Sequence, residues 1–62
     1  MKKYLRTLRR QLVWVVNNLQ NDFDEMTDDQ YNEEFLLHEG TAHVKLLAEE
    51  LIDEIDVVLD NS

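Results

Sequence analysis

Leu5, Leu8, Leu12, Val15 and Leu19 follow one another at intervals of three, four, three and four residues. That spacing returns a side chain to the same side of an α-helix at every turn, the mark of a helix packed lengthwise against another. It predicts a first helix from about Lys3 to about Asn21. The pattern falters there, because Asp22 falls where the next apolar residue is due and Phe23 sits one place later. The polar run from Asn17 to Asp22 also weakens helix propensity.

Thr27 followed three residues later by Gln30 has the form of a capping box, with Asp28 and Asp29 well placed against the positive end of a helix dipole. Met26 before the cap and Tyr31 after it are spaced as a hydrophobic staple. These signals start a middle helix at Asp28. It is expected to run to about His38, presenting Tyr31, Phe35 and one of Leu36 or Leu37. Gly40 is then the expected left-handed residue that ends it. Thr41 would cap a last helix from Ala42 to about Leu59, on which Val44, Ala48, Leu51, Ile55 and Val58 repeat the seam. Leu47, Ile52 and Leu59 widen that seam into a broad apolar face.

With no proline and a single glycine, nothing divides the chain further. Residues 1–62 read as one all-α domain, a helical hairpin of two long helices joined through a short middle one. Sixty-two residues bury only about 60 % of the surface the unfolded chain exposes. Chains below roughly 70–80 residues usually need a disulfide, a metal or a second chain. The absence of cysteine removes the first and the thiolate form of the second, and it fits a reducing compartment. Association is the remaining route, so a homodimer with a bundle of four-helix type is expected. Val13 and Trp14 lie off the leucine seam, as Leu46 and Val57 do on the last helix. An exposed tryptophan and valine on so small a body invite burial against another chain. The dimer interface is accordingly placed on Leu5, Leu8, Leu12, Val13, Trp14 and Val16.

Charge adds a second layer. The net charge is −8, but Lys2, Lys3, Arg6, Arg9 and Arg10 crowd the first ten residues, and Lys45 is the only basic residue among fourteen acids thereafter. Such asymmetry points to a charged partner, or to pairing between the two ends of the chain. If the long helices run antiparallel, residues 2–10 come alongside residues 53–60 and the two charge sets become complementary. The acidity disfavours nucleic acid as a partner, since phosphates would be repelled. The apolar run Leu12–Val16 is five residues long and lacks a small-residue cleavage site after it, so neither a signal peptide nor a membrane span is expected. A cytoplasmic protein follows.

Glu49, Asp53, Asp56 and Asp60 are spaced four, three and four, with Glu50 beside them. They should stack along one side of the last helix, with carboxylates roughly 5–6 Å apart on consecutive turns. A row of this kind either meets water or fits a basic groove on another protein. The stretch from Glu49 to Asp60 also resembles the second metal-binding helix of the all-α NTP pyrophosphohydrolases, the MazG-like family. Glu50 and Asp53 match that family's E-x-x-D pair, which implies magnesium binding and NTP pyrophosphohydrolysis. The family's preceding helix carries E-E-x-x-E, and the matching stretch here begins Glu33–Glu34 but has Leu37 at the third acidic position.

His38 and His43 are five apart with a glycine between them, a spacing that does not form a helical zinc pair. No nucleophile with a convergent base, phosphate-binding glycine loop or metal constellation is legible, so neither an enzyme nor a cofactor is expected. The reading is a small acidic protein-binding module, an inhibitor or regulator acting by stoichiometric binding to a basic-surfaced protein. Its style resembles the accessory proteins of phages and mobile elements, antagonists of host defence included. The alternatives are the magnesium pyrophosphohydrolase and a small DNA-binding regulator using the basic first helix, where Tyr4 stands beside Arg6, Arg9 and Arg10.

Overall fold

The computed structural model describes residues 1–61. Three helices follow in order, α1 over Lys2–Glu25, α2 over Asp28–Glu33 and α3 over Phe35–Asp60. The two long helices lie side by side and antiparallel, and the molecule is a rod measuring 47 × 15 × 13 Å.

The first helix passes the predicted stop at Asn21 and continues to Glu25. Phe23 accounts for the extra turn. At about 100° per residue it falls on the same side as Leu5, Leu12 and Leu19, and all four are half-buried. Burial of one more ring outweighs the weak propensity of the polar run. The chain then leaves helical geometry at two extended residues, Met26 (φ −70°, ψ 131°) and Thr27 (φ −84°, ψ 162°).

The capping box forms as the sequence predicts. The Gln30 amide donates to the Thr27 hydroxyl at 3.2 Å, and the Thr27 amide donates to the Gln30 side-chain oxygen at 3.0 Å. Two of the amides that a helix start leaves without partners are satisfied in this way.

The expected break at Gly40 does not occur. The middle helix stops at Glu33, Glu34 bends the chain (φ −113°, ψ 29°), and α3 then runs unbroken through Gly40 and Thr41 to Asp60. Gly40 has no positive φ, and Thr41 caps nothing. The reason is energetic. A glycine inside a helix costs about 1 kcal/mol, whereas a break there would take His38 and Thr41, both half-buried, off the contact line with α1. At the Glu34 bend, Tyr31 packs edge-on against both Phe35 and His38, with ring centroids 5.6 and 4.7 Å apart.

The buried side of α3 also differs from the predicted seam. Ala48 and Ile55, 8 % and 4 % exposed, are the only buried residues among those described. The contact line continues through Thr41, Lys45, Ile52 and Leu59, all half-buried. Val44, Leu51 and Val58, predicted on the seam, are instead exposed. This rotation brings Asp56 to Arg9 of α1, a contact that apolar periodicity does not register.

Two outcomes follow. Gly40→Ala should raise stability by about 0.5–1 kcal/mol, because an added Cβ meets nothing within 4 Å; a left-handed cap at this position would make the same change destabilising. Ile55→Ala should cost about 2–5 kcal/mol, the largest loss for any single truncation on α3, and urea titration followed by circular dichroism measures both.

Candidate protein-binding surface

The acidic row on α3 separates into two kinds of residue. Asp56 is engaged by the first helix: Arg9 donates from Nε to Oδ1 at 2.5 Å and from a terminal nitrogen to Oδ2 at 3.3 Å. This forked pair bridges residues 47 apart in sequence, fixing the antiparallel register predicted from the charge asymmetry. The hydrogen bonds that Arg9 donates to Asp56, and then the charge of that carboxylate, raise the guanidinium pKa further above its already high value. Both side chains remain 42 % exposed, so water and salt screen the pair and it sets alignment more than stability. Glu49 is held within its own helix by the ammonium of Lys45 at 2.5 Å. The Lys45 side chain is only 20 % exposed, its aliphatic stem lying along the contact line. These two acids therefore stand at the edge of the helix contact, where the sequence placed the whole row opposite it.

Glu50, Asp53 and Asp60 behave differently. All three are exposed, and none has a basic partner among the described residues. With Glu54, also exposed, they form the outward face of the C-terminal half of α3. Together they place negative charge along the solvent-facing side of the helix.

The residues of the magnesium reading are not brought together. Glu34 stands at the start of α3, whereas Glu50 lies 16 residues further along the chain, roughly 24 Å away at 1.5 Å per residue. No group of three or more histidine, aspartate or glutamate side chains among the described residues is arranged to hold a metal ion.

On the first helix, Leu5, Leu12 and Val16 are half-buried on the side that carries Arg9, so they belong to the contact within the hairpin. Leu8 lies at the margin of that contact and is 39 % exposed. Trp14 points the other way and is 66 % exposed, with Val13 half-buried beside it. Arg10, Gln11, Trp14 and Val15 line a shallow apolar depression there. Among the described residues no helix is long and apolar enough to cross a membrane.

His38, expected near a helix C-terminus, lies in the first turns of α3. Its ring is 4.8 Å from that of Phe23, which ties the start of α3 to the end of α1. It forms one wall of a cleft of about 390 Å³ whose rim carries Asp22, Glu25 and Glu34. The neighbouring Tyr31 hydroxyl donates to Glu39 at 3.3 Å. Loss of hydration pushes the Tyr31 phenol above the usual 10.0, and the Glu39 carboxylate adds to the shift.

The sequence held a signal for Lys45 that periodicity alone does not use. Lys45 is the only base outside the first ten residues and precedes Glu49 by four, a spacing that allows a helical ion pair. Tyr31 and Glu39 are brought together by the bend at Glu34, which no local signal announces. No family model, curated protein or solved structure matches the chain.

The Tyr31 environment sets a pH dependence of definite sign. Its raised native pKa means that folding favours the neutral phenol, so the stabilisation is complete below pH 10.0 and is lost as pH rises through the native value. Phenolate absorbance in the folded protein should show one tyrosine titrating above 10.0, with Glu39→Gln moving that midpoint part of the way down. A folded-state midpoint at or below 10.0 would contradict this environment.

Proposed function

We propose that this protein is a small binding module that inhibits or regulates a basic-surfaced protein by stoichiometric association through the acidic face of α3. The observation that carries the reading is the division within the acidic row. Asp56 and Glu49 are neutralised by Arg9 and Lys45, while Glu50, Asp53 and Asp60 face outward with no such partner among the described residues. Mutual repulsion among unpaired carboxylates on one helix is unfavourable, and a complementary cationic surface relieves it. The helix that presents them is held by its other side to α1, so the charges are displayed on a preformed element with little ordering entropy left to lose on binding. Size and acidity of this kind resemble the accessory proteins of phages and mobile elements, and a nucleic-acid-binding host protein is the class of target whose groove such a row would fit.

Reversal of the unpaired acids tests the proposal without disturbing the hairpin. A triple variant with Glu50→Lys, Asp53→Lys and Asp60→Lys should keep its helix content, each change altering stability by no more than about 0.5 kcal/mol. Asp56 is left intact because lysine there would oppose Arg9. Capture of a host protein from lysate at low salt should be lost in the variant, and the salt dependence of the wild-type interaction should disappear with it. Equal capture and equal salt slope for the two proteins would mean that these carboxylates only meet water.

A further inference from the structure

The Arg9–Asp56 pair divides the hairpin into two unlike sides. Because Arg9 meets Asp56, one flank of α1 and one flank of α3 lie on the same side of the rod, and their opposite flanks share the other side. At about 100° per residue, the second side collects Leu8 and Val15 from α1 with Val44, Leu47, Leu51 and Val58 from α3. Val15 is half-buried and the other five are between 39 % and 55 % exposed. Glu54 is the only acid within the α3 stripe.

We propose that this apolar side is a dimer interface, and that a second copy of the chain covers it in end-for-end reversed orientation, making a four-helix bundle. Three observations carry this. The patch is too large to leave wet on a chain that buries only Ala48 and Ile55 among its described residues. Extended over Leu37–Val58, it spans roughly 30 Å of helix across a rod about 15 Å wide. Two such faces together remove on the order of 1,000 Å² from water, the area at which specific interfaces begin.

Charge then selects both the partner and its orientation. From Asp22 to Glu39, around the turn, there are eight acids and no lysine or arginine. At the other end, the five bases of residues 2–10 lie alongside the six acids of residues 49–60. A copy stacked with like ends together would bring the two uncompensated acidic turns into contact. Reversal instead sets each acidic turn beside the base-bearing end of its partner. The two-fold axis then passes near Leu47, midway between Leu37 and Val58. The arrangement leaves Trp14 and the outward acids Glu50, Asp53 and Asp60 outside the interface. It is therefore independent of the proposed binding function and compatible with it.

Sedimentation equilibrium of the full chain at tens of micromolar should give twice the 7.4 kDa chain mass. Leu47→Glu should weaken association by at least about 100-fold, the loss expected for a charge buried without a partner, whereas Trp14→Ala should leave it unchanged. The chain has no cysteine, so Leu47→Cys gives an orientation test that does not depend on the glutamate variant folding. Mild oxidation should join its two copies through Cβ positions close to the two-fold axis, and Asp53→Cys should not cross-link. A helical wild-type monomer would overturn the proposal. So would dissociation caused by Trp14→Ala but not by Leu47→Glu, or a dimer in which Leu47→Cys fails to cross-link.

Discussion

Two helices laid side by side touch along a single line, and the rest of this structure depends on that constraint. A residue on the line gains contact from one neighbouring helix only, so most contact positions are half-buried and, among the described residues, only Ala48 and Ile55 are buried. The hydrophobic contribution of so thin a core is small. Alignment must therefore come from contacts that are directional as well as apolar. The forked Arg9–Asp56 pair near one end and the Phe23–His38–Tyr31 rings near the other supply it. Between these two points the helices have one register available, because sliding by a turn would break both.

The same constraint explains the distribution of charge. Arg9 and Lys45 sit at contact positions where a larger protein would place leucine or isoleucine. Their stems cover apolar surface while their charged ends reach Asp56 and Glu49 at the margin. The carboxylates beyond reach of those two bases face water. Division of one acidic row into neutralised and free members is thus a consequence of where α1 lies, and it gives the outward face of α3 its proposed role.

Packing at the turn shows how local and tertiary preferences compete. The Thr27–Gln30 capping box is satisfied entirely by residues within four positions of one another, and it forms where the sequence places it. Gly40 offers an equally local stop signal, yet the helix continues through it. The two cases differ in what opposes the local preference. Nothing opposes the cap, whereas a break at Gly40 would remove His38 and Thr41 from the end of α1, where His38 packs on Phe23.

By itself the sequence determined the all-α class, the two long helices, the capping box and the complementarity of the two chain ends. Each of these rests on interactions between residues a few positions apart, or on the sum of charge in a segment. Tertiary structure alone decided that α3 begins at Phe35, that its contact line runs through Lys45, Ala48, Ile52 and Ile55, and that Asp56 is paired while Asp53 is free. Apolar residues occupy well over half of the circumference of α3, so periodicity was consistent with several rotations of that helix. The rotation that forms was chosen by long-range partners, Arg9 for Asp56 and Phe23 for His38, whose energies are absent from any short window of the chain.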